Sequence, residues 1–178
     1  MRRNPREGDA PVDRAERSSV AREVAIALDG SEMAGLVEEL AARGVPVRFQ
    51  AKGGSMSPWI RDGDVVTVAP IGGEAVGGNE NGQSPRAPRL GDVAAFRRQP
   101  SGRLTVHRLV RREAEGWIAR GDRLAGEDGS VRREELLGLV TRVERAGREI
   151  WVPRGLAGLL LATLSRFALG ARARWLRR

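Results

Sequence analysis

Between residues 46 and 150 apolar and polar positions alternate in short runs separated by turn residues, the period-two pattern of half-buried strands. "VPVRFQAKG" alternates clearly, and "DVVTVAP" does so more weakly, as a more deeply buried strand would. "GDVAAFRR", the turn "QPSG" and "RLTVHRLVRR" predict a hairpin, and "GWIARGD" and "LLGLVTRVERAG" continue the rhythm. The pattern predicts six or seven strands, a number compatible with a mainly β core of barrel-like or folded-sheet form.

The flanks read differently. "SSVAREVAIALDG" and "SEMAGLVEELAARG" repeat their apolar residues at helical spacing, which predicts one or two helices over residues 18–45. Ser18 and Ser31 are the expected N-caps and Gly44 the C-terminal stop. Residues 1–17 are charged, contain proline and show no period, as a disordered lead does. "PIGGEAVGGNENGQSPRAPR", residues 70–89, is rich in Gly, Asn and Pro and reads as a flexible insertion in the core. Residues 151–178 begin with a proline at a helix entry and an apolar run from Leu156 to Leu164. Phe167, Leu169 and Trp175 follow among arginines. Two fates fit this basic amphipathic segment: docking on the β core, or lying on an anionic membrane surface, which the excess of arginine favours.

Composition narrows the chemistry. The 178 residues suit one core with appendages. With no cysteine there is no disulfide, thiolate nucleophile or cysteine metal site, and a single histidine cannot build the usual zinc ligand sets. No metal or cofactor is therefore expected. Of the net charge of +8, five arginines fall within residues 166–178, which hold no acid. Most of the excess is thus a property of the tail, and nucleic-acid binding is not expected. The N-terminal "MRRNPREGDAPVDRAERSSV" lacks the apolar stretch of a signal peptide, and no window approaches the ~18 apolar residues of a membrane span. A cytoplasmic protein with peripheral membrane contact is the expectation.

Hydrolytic chemistry would then have to run on a hydroxyl, a carboxylate or water activated by His, Lys, Asp or Glu. Ser55 sits in "GGSMSP", a glycine-rich turn between two predicted strands. His107, the only histidine, lies inside the strand "LTVHRLV", and Asp122 and Asp128 flank "GDRLAGEDG". A serine hydroxyl is a weak nucleophile until a base takes its proton, and imidazole suits that work near neutral pH. A carboxylate beyond the ring would orient it. Gly53 and Gly54 let a substrate strand approach and leave backbone N–H groups to face an oxyanion. Singly these features are ordinary turn and strand residues; together they supply every part of a Ser-His-Asp site.

The run "GGSMSPWIRDGDVVTV", followed by "RLGDVAAFRR", "VHRLV", "ARGDRLAGEDG" and "LLGLV", resembles the signal peptidase I family of serine proteases, especially its Ser-His branch. The likeness covers about residues 46–141. It implies the coiled antiparallel sheet of the signal peptidase/LexA type and a polypeptide substrate bound as an added extended strand. By the same resemblance Ser55, just before Met56, stands for the nucleophile and His107 for the general base, where other branches use lysine. Asp128 stands for the third catalytic residue and Asp122 for a structural aspartate, while Asp62, Gly63 and Asp64 form a turn. Gly53 occupies the position where some relatives place a serine hydroxyl at the oxyanion, so backbone N–H groups, that of Ser55 among them, would have to serve. The implied activity is a serine endopeptidase removing a leader or pro-peptide. Two alternatives are a LexA-like regulator cutting itself at Ala34–Gly35 and a catalytically inactive peptide-binding module. The first lacks a helix-turn-helix pattern and the family's lysine.

Overall fold

The computed structural model describes residues 28–72 and 86–164. The predicted disordered lead, the stretch up to residue 27 with Ser18, the middle of the 70–89 insertion and residues 165–178 lie outside the described residues.

The described chain is mainly β. Eight antiparallel strands form one curled sheet: β1 (Val47–Gln50), β2 (Val65–Ala69), β3 (Val93–Arg98), β4 (Arg103–Arg112), β5 (Gly116–Arg120), β6 (Ser130–Arg132), β7 (Leu136–Arg145) and β8 (Arg148–Glu149). The order across the sheet is β1-β2-β7-β3-β4-β5-β6, with β8 paired to β7. The predicted hairpin is β3–β4, in register from Val93↔Arg108 to Arg98↔Arg103. Six strands match the runs read from the sequence. The expected number of six or seven falls short because β6 and β8, three and two residues long, are too brief to display a period.

The continuous apolar run in β3 has a direct physical reason. Val93 and Ala95 point into one buried cluster with Met56, Val66, Val68 and Val140, whereas Ala94 and Phe96 point into a second with Leu109, Trp117 and Leu136. Successive side chains of a strand face opposite sides, so a strand covered on both must be apolar throughout.

Helix α1 (Gly30–Ala42) lies across the sheet on Ala34 and Val37, packed against Val47 and Leu137. Its N-cap is Asp29, not Ser31. The Asp29 carboxylate accepts from the N–H groups of Ser31 (2.7 Å) and Glu32 (2.9 Å), and the Glu32 carboxylate accepts the Asp29 N–H (2.8 Å), which completes a capping box. Ser31 falls inside the first turn and donates its hydroxyl to Asp29. Gly44, at φ +73°, follows the C-cap Arg43 as expected. A second helix, α2, spans residues 155–164 on the other flank.

Both ends of the insertion are tied down. Ile71 and Arg86 form a parallel bridge, and the Arg86 guanidinium donates two hydrogen bonds, of 2.7 and 2.8 Å, to the buried Asp92 carboxylate.

Asp64 does more than turn the chain. It is buried, accepts from the Arg61 N–H (2.8 Å) and receives two hydrogen bonds from the Arg145 guanidinium (2.8 and 2.7 Å). Burial pushes its carboxyl up, but the Arg145 and Arg61 hydrogen bonds outweigh this and hold it below the ordinary value of 3.8. A depressed folded-state value contributes stability above the unfolded value, and that contribution is lost as pH falls through the folded one. Melting temperature is therefore expected to drop as pH falls below about 4. In Asp64→Asn that segment of a thermal-melt series should be flatter, and an unchanged slope would assign the acid sensitivity elsewhere.

Candidate active site

Ser55 follows β1 on a turn that runs to Ile60, held by the Ser57 N–H donating to Gly54 O (3.1 Å) and the Ile60 N–H to Met56 O (3.1 Å). Met56 and Ile60 are buried and anchor this turn in the core, so Met56 is a packing residue. Gly53 adopts φ +86° and its N–H donates to Asp62 Oδ1 (2.7 Å). Asp62 thus fastens the approach to Ser55, a role beyond turn formation. The Gly53 N–H is consequently taken, whereas that of Ser55 meets no acceptor among the described residues. Of the backbone donors expected to face an oxyanion, Gly53 is excluded and Ser55 stays available.

His107 lies in β4 opposite Ala94 and is 4% exposed, its ring edge-on to Phe96. Its Nε2 is 2.8 Å from Ser55 Oγ, and its Nδ1 is hydrogen-bonded to Asp128 Oδ2. An ionised carboxylate can only accept, so the Nδ1 proton points at Asp128. The Nε2 lone pair is then directed at the serine hydroxyl. The second Asp128 oxygen faces the Arg98 guanidinium at 3.1 Å, and the Asp128 N–H donates to Ala119 O (2.9 Å). Three segments, 52 and 21 residues apart in sequence, therefore converge in the order serine, imidazole, carboxylate.

Asp122 stands apart from this line. Its two oxygens accept from Arg108 Nε (2.8 Å) and Nη2 (2.7 Å), and both side chains are essentially inaccessible. Arg108 Nη1 also donates to the carbonyls of Gly91 (2.8 Å) and Pro153 (2.7 Å). Because neighbours on a strand face opposite ways, β4 sends His107 into the site and Arg108 into the interior behind it. Arg108 joins β4, the turn before β3, the Asp122 loop and the entry to α2. In the sequence it is one of four arginines in β4, and nothing there marks it out.

The Asp122 loop also grips the Ser55 segment, since the Arg123 N–H donates to the Ser55 carbonyl (2.8 Å). Gly121 permits this approach: a Cβ there would lie 2.8 Å from Ser55 O and 3.0 Å from His107 Nε2. Gly121→Ala should therefore push serine and imidazole apart, and a misplacement of about 1 Å lowers rates by roughly 10²-fold. Labelling of Ser55 by an acylating probe would measure it, alongside an unchanged circular dichroism spectrum. An unaltered rate would show that the loop gives way without moving the pair.

A cleft of about 1060 Å³ opens beside Ser55 and His107. Along one side run Phe49 to Gly53, from β1 and the turn after it, and along another run Arg103 to His107 of β4. β1 pairs only with β2, and β5 pairs with β4 from Arg108 onward, so among the described residues both strands have a free edge here. Leu28 to Ser31, at the start of α1, also line it. Among the described residues no three His, Asp or Glu side chains gather as a metal site would require. No family model matches the chain, and no curated protein matches it.

Proposed function

We propose that this protein is a serine endopeptidase of the signal peptidase I type, acting on a polypeptide held in the cleft as an extended strand. The observation that carries the reading is the unbroken line Ser55–His107–Asp128, with Ser55 Oγ 2.8 Å from the imidazole. His107 takes the hydroxyl proton as Ser55 Oγ bonds to the peptide carbonyl carbon, and the Ser55 N–H supports the oxyanion. The imidazolium, held by Asp128, then gives its proton to the departing amine as the C–N bond breaks. Water, deprotonated by the same ring, releases the acyl group and restores the serine. Free edges on β1 and β4 suit main-chain pairing with an incoming strand.

Self-cleavage at Ala34–Gly35 fits less well. That bond lies inside α1, with Ala34 fully buried, so the helix would have to unwind before an extended strand could reach Ser55.

The deciding experiment treats folded protein with a fluorophosphonate and maps the adduct by intact mass and peptide sequencing. One adduct on Ser55, absent in Ser55→Ala, is expected. No adduct on folded protein would leave a strand-binding module without catalysis.

A further inference from the structure

The four most exposed large apolar side chains of the described residues all lie between 151 and 164: Trp151 (69%), Leu156 (67%), Leu160 (65%) and Leu164 (62%). The leucines are four apart, which places them in one row along α2, while Gly158 and Ala162 face the protein. A helix on a water-facing surface puts polar residues outward. Here residues 155–164 contain no charged residue, and their only polar one, Thr163, is half-buried and donates its hydroxyl to Leu159 O.

We propose that this face of α2 docks on an anionic lipid surface. Charge complementarity selects that occupant: immediately beyond Leu164 the chain carries Arg166, Arg172, Arg174, Arg177 and Arg178, no acid, and the bulky apolar Phe167, Leu169 and Trp175. An apolar face that enters the acyl boundary, adjoining arginines that reach headgroup phosphates, is the makeup of an interfacial helix. No helix among the described residues is long and apolar enough to cross a bilayer.

The attachment has a fixed relation to the catalytic line. Arg108 bonds the Pro153 carbonyl just before α2 and follows His107 directly in β4. Trp151 stands edge-on to Trp59 of the nucleophile turn at 6.1 Å. Docking would hold the Ser55 turn near the membrane plane, where a peptide anchored in that plane is within reach; this last consequence rests on the protease reading, while the docking itself does not.

The test uses full-length Ser55→Ala protein, so that catalysis plays no part. It is sedimented with vesicles of phosphatidylcholine alone or mixed equally with phosphatidylglycerol. Binding to the mixed vesicles is expected, reduced but not abolished by added salt, because apolar insertion is not screened. Leu156→Gln/Leu160→Gln/Leu164→Gln should lower the partition coefficient at least tenfold with the circular dichroism spectrum unchanged, and Leu160→Gln alone should give a smaller drop. Absence of binding to anionic vesicles, or binding equal in the leucine variants, would overturn the proposal. So would a concentration-dependent dimer that the leucine variants abolish in the absence of vesicle binding, which would make a second copy the occupant. Vesicle binding can fail while Ser55 labelling succeeds, and the reverse, so this proposal and the protease reading fall separately.

Discussion

Ser55→Ala and His107→Ala should each lower peptide turnover by roughly 10⁴–10⁶-fold, and the double variant should be no slower than the slower single one. The reason is that the two residues perform one act. Without the base the hydroxyl keeps its proton and scarcely attacks; without the hydroxyl the base has nothing to activate. Asp128→Asn belongs to the same series. It leaves the shape of the site but offers Nδ1 a donor in place of an acceptor, favouring the wrong tautomer, and a loss of about 10⁴-fold is expected. Steady-state turnover of a peptide substrate, or the fluorophosphonate labelling rate for the variants that retain Ser55, measures the series. Thermal melts should establish that Ser55→Ala retains its fold. A double-variant loss equal to the product of the single losses would mean that the residues act independently, and the proton-transfer pair would have to be abandoned.

Arg108→Leu should be the most damaging single change to stability, lowering it by about 3–5 kcal/mol. Arg108 and Asp122 are both sealed from solvent, so removing the cation leaves a buried carboxylate with no counter-charge. The Gly91 and Pro153 carbonyls lose a donor in the same step. For a domain of this size the fall corresponds to roughly 6–20 °C in melting temperature. Arg108→Met/Asp122→Leu should recover part of the loss, because an apolar pair carries no desolvation penalty, but not all of it, because the two carbonyls stay unpaired. Denaturant melts of Arg108→Met, Asp122→Leu and the double variant form the cycle that separates these effects. A double variant as unstable as the sum of the singles would show that Arg108 and Asp122 do not stabilise each other. Ser55 labelling should also slow in Arg108→Leu below its melting point, since the Asp122 loop carries the N–H that holds the Ser55 carbonyl.

Docking of α2 on lipid would join the membrane to β4 through the Arg108 bond to the Pro153 carbonyl. Variants at Arg108 would then loosen two things together, the placement of His107 and the entry to the docking helix, through one guanidinium.

What could be read in the sequence was local. Six strands, the β3–β4 hairpin and the termination of α1 near Gly44 follow from side-chain period and turn chemistry, which act over a few residues and are printed in their order. The three members of the Ser55–His107–Asp128 line were visible as residue types: one histidine, one serine in a glycine turn, and aspartates after a strand. Their mutual distances were not. Two aspartates six residues apart looked alike in the sequence, and the resemblance, not the pattern, separated their roles. In the structure Asp128 meets the imidazole and Asp122 meets Arg108, because the loop after β5 turns one carboxylate toward each face of β4.

Local competition defeated the helix cap. Asp29 and Ser31 both suit an N-cap, and the choice fell to Asp29, whose partner Glu32 stands three residues on and closes the box. Arg108, Gly121 and the Arg98 contact to Asp128 were hidden for another reason. Among 31 basic residues and 23 glycines no count marks these out. Their importance comes from the sheet order, which brings the Gly91 and Pro153 carbonyls and the Asp122 carboxylate to Arg108 and the Ser55 hydroxyl to His107. The sequence alone determined the strand period, the scarcity of titratable nucleophile partners and the basic tail, since each is a property of residue type and near-neighbour spacing. The tertiary structure decided which groups touch, because burial and hydrogen bonding between segments 52 residues apart depend on strand pairing that no local pattern records.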